Sequence, residues 1–175
     1  MRTSLIQVLT VLIFALAGLL ASPACANAQT DDDFETAPPP LKYVSKQDKA
    51  LLDSEANPKD RTKTALSLMD ARLDDAEKLN AAENFNAMFS ELGHFAGLLD
   101  NSLNFLSRQP DDKKNLDNYK RLEIGIRRFM GRLEVVRREL PLRYEKYVRD
   151  LIKYLRDSRS KALEPQFSDT VLPQG

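Results

Sequence analysis

The chain has 175 residues with 26 basic and 26 acidic side chains, one histidine, one cysteine and no tryptophan. That length suits a single domain, and the composition is too poor in Cys and His for zinc sites of the usual type. The overall charge balance conceals a division. Nine Lys/Arg face fifteen Asp/Glu from Asp31 to Pro110, and sixteen face nine from Asp111 to Leu163.

The chain opens with Arg2, an apolar run from Leu5 to Leu20 and small residues ending in Ala26-Asn27-Ala28. This pattern is a secretory signal peptide, too short for a bilayer span of about 20 residues and without a stop-transfer flank. Cleavage after Ala28 or Ala26 removes Cys25, and Ser22-Pro23-Ala24 before it makes a poor lipobox. The lipoprotein alternative is therefore disfavoured. A cysteine-free exported chain is expected in a bacterial periplasm or exterior.

Residues 29–44 carry Asp31-Asp32-Asp33 and Pro38-Pro39-Pro40, which cannot bury enough apolar surface to order themselves. Residues 164–175 contain Pro165 and Pro173 and read as a second tail, leaving a helical core over 45–163. Its first segment pairs Ser45 with Asp48 in a capping-box arrangement. Asn57 and Pro58 then start a helix marked by Leu66, Met69, Leu73 and Ala76.

Two heptad seams follow. The first runs through Phe85, Phe89, Leu92, Ala96, Leu99, Leu103 and Leu106, the second through Tyr119, Leu122, Ile126, Phe129, Leu133, Val136 and Leu140. Flanking Met88, Phe95 and Phe105 widen the first seam to the face of a bundle. Short connections at Asn80–Glu83 and Gln109–Asp112 favour antiparallel neighbours. The expected fold is all-α, an antiparallel up-down bundle of three to four helices, the last kinked or broken at Pro141.

A proline biases its predecessor away from helical geometry, yet no Gly, Asn or Asp is near to make a reversing turn. The seam also stays in phase through Tyr144, Tyr147, Leu151 and Tyr154. A kinked long helix is therefore favoured over a reversal. A kink would leave Tyr144, Tyr147, Val148, Leu151 and Leu155 on an exposed basic arm.

No catalytic motif or cofactor fingerprint is present, so no cofactor is expected. Glu91 and His94 form a Glu-x-x-His step, but a di-iron site needs a second such step and two further glutamates. The seam also turns His94 toward solvent, so no metal role is assigned. Asp74 is expected to pair with Lys78, Glu123 with Arg127 and Glu134 with Arg138, each four residues apart. Asp111-Asp112 suits a helix start, where negative charge opposes the dipole.

The candidate partner surface comprises Arg127, Arg128, Arg132, Arg137, Arg138, Tyr144, Tyr147 and Arg149. Its basic excess would either pack against the chain's own acidic half or meet an anionic envelope partner. Export and the neutralising glutamates argue against nucleic acid.

One resemblance carries information on fold and compartment. Ala71-Arg72-Leu73, Asp75-Ala76-Glu77, Leu79, Glu83-Asn84-Phe85 and the run Leu92 to Leu99 lie within Pro58 to Leu106. This segment resembles helical-hairpin domains of unknown function in exported bacterial proteins, including extracytoplasmic parts of sigma-factor regulators. The resemblance implies a helical hairpin and carries no catalytic residues. The functional expectation is an exported non-enzymatic protein acting through protein contacts, self-association or an envelope structural role. A polyanion or membrane-surface binder is the alternative, and a metal-binding or enzymatic protein the third.

Overall fold

The computed structural model describes residues 41–168, with side chains as far as Pro165. The proposed signal peptide, its cleavage sites, Cys25, most of the acidic linker and Pro173 lie outside them. The described residues form five helices and no strands: α1 (Lys46–Ser54), α2 (Pro58–Ala81), α3 (Phe85–Leu106), α4 (Lys113–Glu139) and α5 (Leu142–Ser168). The protein is all-α, with a short first helix and four long ones in place of the three to four expected. None of the helices is long and apolar enough to cross a membrane.

Local chemistry sets the helix starts. The Ser45 hydroxyl accepts from the Asp48 N–H at 3.0 Å, Asn57 Oδ1 from Lys59 N–H at 2.9 Å, and Asp112 Oδ1 from Asn115 N–H at 2.8 Å. At the end of α2, Glu83 takes a left-handed φ of 56°, and the Asn84 N–H donates to the Leu79 carbonyl at 2.9 Å. This is the Schellman closure, with a glutamate where glycine is usual, and it folds α3 back along α2.

The chain reverses at Pro141, which corrects the expected kink. Leu140 is extended, with φ −76° and ψ 144°, and α5 begins two residues later with Tyr144 N–H donating to the Pro141 carbonyl. Arg137 reaches Glu145 near the turn, and Arg159 reaches Glu123 far from it, so α5 runs antiparallel to α4. Burial supplies the reason. Val148, Ile152 and Leu155 would be exposed on an arm, whereas here each is at most 2% exposed. Covering each stabilises the fold by roughly 1.5–3 kcal/mol, more than enough to favour a turn built without glycine.

Two antiparallel hairpins result, α2 with α3 and α4 with α5. They lie side by side with like helices parallel. Asp70, Glu77 and Asn80 of α2 meet Arg128, Arg132 and Glu139 of α4 in rising order. Phe85, Phe89 and Asp100 of α3 meet Tyr144, Tyr147 and Tyr154 of α5 in the same sense. The consecutive helices α3 and α4 approach far less than α2 and α4 do, so the segment after α3 crosses to a diagonal position. Gln109–Asp112 was expected to join adjacent antiparallel helices; the attraction of the Asp70, Asp74 and Glu77 cluster on α2 for Arg128 and Arg132 of α4 favours α2 as the neighbour instead.

One core joins all five helices. Leu52, Met69, Leu73, Leu92, Phe95, Leu99, Leu122, Ile126, Phe129, Leu133, Val148 and Leu155 belong to it, with Phe95 and Phe129 edge to face at 5.3 Å. At Gly125 an added Cβ would overlap Leu66, so glycine permits the close α2–α4 approach. The helix α5 continues through Pro165 to Ser168, past the expected boundary at 163. Leu155→Ala should destabilise the protein by about 2–5 kcal/mol in urea unfolding. An unchanged midpoint would mean that α5 does not lie on the core.

Candidate interaction surface

The proposed basic surface divides according to what each side chain already holds. Arg132 of α4 bonds Asp70 at 2.8 Å, Asp74 at 2.5 Å and Glu77 at 2.6 Å, all on α2. Hydrogen bonding to Glu77, acting against partial burial and joined by Asp74, holds its guanidinium above the usual arginine range. Arg128 joins the same cluster through Asp70 at 3.1 Å. Asp74 therefore serves α4, and Lys78 pairs with Asp75 at 2.9 Å in place of the expected Asp74.

Arg137 bonds Glu134 at 2.9 Å and also reaches Glu145 across the Pro141 turn. Arg156 of α5 takes the other Glu134 oxygen at 3.5 Å, which leaves the expected Glu134–Arg138 pair unmade. Arg127 does pair with Glu123, at 2.7 Å, and Arg159 binds the same oxygen at 2.6 Å. Burial alone would raise the Glu123 pKa; its hydrogen bonds from Arg127 and Arg159 outweigh that and lower it. Tyr144 and Tyr147 are partly buried against Phe85 and Phe89, with ring centroids 4.8–5.6 Å apart. They belong to the packing between hairpins and not to a free arm.

Arg138 and Arg149 are exposed and in no ion pair among the described residues, as is Lys153. The eight proposed surface residues thus do not form one site. Arg132, Tyr144 and Tyr147 join the two hairpins, Arg137 ties α4 to α5 within one of them, Arg127 and Arg128 are paired but more than half exposed, and Arg138 and Arg149 remain open to solvent.

His94 corrects the expectation of a solvent-facing histidine. It is only 7% exposed, because Tyr43 covers it with ring centroids 3.8 Å apart. Helical phase alone could not reveal this cover, since Tyr43 precedes the first helix. The backbone of Tyr43 lies so close to Gly97 that any Cβ there would overlap it. Lys42 meets Asp100 at 3.5 Å and the Tyr154 ring at the same distance, so residues at the end of the expected loose linker pack on the helices.

Glu91 is held by Arg72 at 3.1 Å, and Arg72 also bonds buried Asp48 at 2.7 Å. The Glu-x-x-His step is thus divided between an ion pair and an aromatic stack. No group of three His, Cys, Asp or Glu capable of holding a metal occurs among the described residues. Asp48, expected to cap its own helix reciprocally, instead ties α1 to α2.

A polar groove of about 580 Å³ lies where α2 and α4 begin, lined by Asn57, Lys59, Gln109, Asn115, Asn118 and Arg121 among others. Sequence patterning gave no signal for it, because its residues come from separate helix starts. Asn115 Nδ2 donates to the Leu106 carbonyl at 3.1 Å, and Arg121 donates to Asn118 Oδ1 at 2.9 Å. The first bond braces the crossing loop, and the second lies within α4. No family model matches this chain, and no match was found among curated proteins or solved structures.

The His94 site has a definite pH signature. Burial, followed by the positive charge of Arg72, lowers its pKa below the ordinary 6.5, while Glu91 and Asp48 oppose the shift. The unfolded chain therefore takes up a proton first as pH falls, so the His94 contribution is intact above pH 6.5 and is lost below it, through the folded pKa. Urea midpoints should decline between pH 7 and 5.5, and His94→Phe should flatten that decline. An identical decline in the variant would assign it to other groups.

Proposed function

We propose that the mature chain is an exported, non-enzymatic helical protein of a bacterial envelope, acting through contacts with another protein. The fold is best read as a bundle of four long helices made from two hairpins, with α1 and the Tyr43 segment laid against it. The observation that carries the functional reading is the asymmetric use of charge. Most ion pairs are consumed between and within the hairpins, while Arg138, Arg149 and Lys153 are among the exposed cations of the described residues that no ion pair holds. Such cations cost little to solvate and are free to meet an anionic partner surface.

The leader-like start supports export, and the resemblance of Pro58–Leu106 to hairpins of exported bacterial proteins agrees with it. Self-association and a structural envelope role fall within the same reading. Binding to an anionic envelope surface is the second reading, supported by the same three unpaired cations.

Photo-crosslinking residues placed singly at Lys78, Lys146 and Arg149 in the full chain, expressed in intact bacteria, test the protein-contact reading. Discrete protein adducts are expected from the α5 positions and not from Lys78. Absence of adducts at all exposed positions, together with salt-sensitive sedimentation on anionic-lipid vesicles, would replace it with the second reading.

A further inference from the structure

Residues 42–44 form a strap across α3, and the single histidine of the chain lies beneath it. The Tyr43 ring packs on His94, and the Tyr43 backbone rests on Gly97, where any Cβ would overlap it. Val44 packs on the edge of the core, and Lys42 ends the strap on Asp100 and the Tyr154 ring. These holdings are few. Tyr43 is 47% exposed, and the Lys42–Asp100 pair is open to solvent on both sides, so a thinly held segment buries a titratable group.

The site under the strap suits a neutral imidazole. His94 Nδ1 is buried and has no hydrogen-bond partner among the described residues. In the neutral ring that is one unmade hydrogen bond; in an imidazolium it would be a charged N–H buried without an acceptor, which costs more. The surrounding charges do not compensate. Arg72 of α2 repels a positive ring, while Glu91 of α3 and Asp48 of α1 attract it, and both of these carboxylates already bond the Arg72 guanidinium. On the strap itself, Lys42 brings a further positive charge beside Tyr43 and is answered by Asp100. The Tyr43 ring face attracts a cation, but it is a weaker partner for a charged N–H than the water that reaches the ring once the strap lifts.

We propose that the strap is an acid-released latch: protonation of His94 frees Lys42, Tyr43 and Val44 from α3 while the helical core stays folded. Release uncovers the α3 surface around His94 and Gly97. The inference is independent of the protein-contact reading and can fail without it. The closed strap holds the His94 pKa below the ordinary 6.5, so the open form takes up the proton first as pH falls. Closure is therefore favoured above pH 6.5, and the open share grows below it toward the folded pKa, by up to about tenfold per pH unit, the limit for one proton.

The test is nuclear magnetic resonance of the purified full chain between about pH 7.5 and 5, where the lone histidine gives one unambiguous titration. Nuclear Overhauser contacts from the Tyr43 ring to His94, and from the Tyr43 backbone to Gly97, should weaken in step with that titration. Those between Phe95 and Phe129 in the core should stay constant. In His94→Phe the Tyr43–Gly97 contacts should persist at the acid end. Tyr43→Ala removes the cover and should raise the His94 pKa toward 6.5; Gly97→Ala, by expelling the strap, should do the same.

Titration of His94 with its Tyr43 contacts intact would overturn the latch, as would equal loss of the Tyr43–Gly97 contacts in His94→Phe. Loss of the Phe95–Phe129 contacts over the same range would mean global unfolding and would also overturn it. A His94 pKa unmoved by both Tyr43→Ala and Gly97→Ala would remove the strap from any part in the titration.

Discussion

The packing of the second hairpin depends on the turn at Leu140–Pro141. Proline holds Leu140 in extended geometry and cannot donate a backbone hydrogen bond, so α4 ends there whatever the seam on either side suggests. Once α5 folds back, Val148, Ile152 and Leu155 complete the core, and Tyr144 and Tyr147 lie against Phe85 and Phe89. The same reversal brings Arg159 to Glu123, which is 4% exposed and would be an uncompensated buried charge without its arginines.

Charge then decides how the hairpins meet. The acidic residues Asp70, Asp74 and Glu77 form a ladder on α2, and Arg132 of α4 answers all three from one guanidinium. Its planar, multidentate geometry suits this role in a way a lysine ammonium would not. Parallel pairing of α2 with α4 follows, and the loop after α3 must cross the diagonal. The division of the chain into acidic and basic halves is thus in part an internal fastening, through Asp70, Asp74 and Glu77 with Arg128 and Arg132. The proposed protein contact would use exposed cations left over from these pairs, such as Arg138 and Arg149.

Much of the helical core was legible because 3–4 spacing reports which side of a helix is apolar. Leu92, Leu99, Leu122, Ile126, Phe129 and Leu133 are all buried. Partners across helices were less legible. Lys78 at four residues is an obvious mate for Asp74, but Arg132 wins because it reaches three acids at once. His94 misled for a related reason: periodicity places it outside the seam, and its cover comes from Tyr43, which no helical period can locate. At Pro141 the continuing seam was a true signal of burial, and it applied to a helix running the other way.

The reversal is most directly measured as a distance. Spin labels at Lys120, near the start of α4, and Lys161, near the end of α5, both sit at exposed positions. With α5 folded antiparallel onto α4, adjacent helix axes are about 8–10 Å apart, and the labels should lie within about 25 Å of each other once their linkers are included. A helix continuing through Pro141 would separate them by about 60 Å at 1.5 Å per residue. The short distance is expected in pulsed dipolar spectroscopy of the full chain, and a dominant distance near 60 Å would contradict the fold.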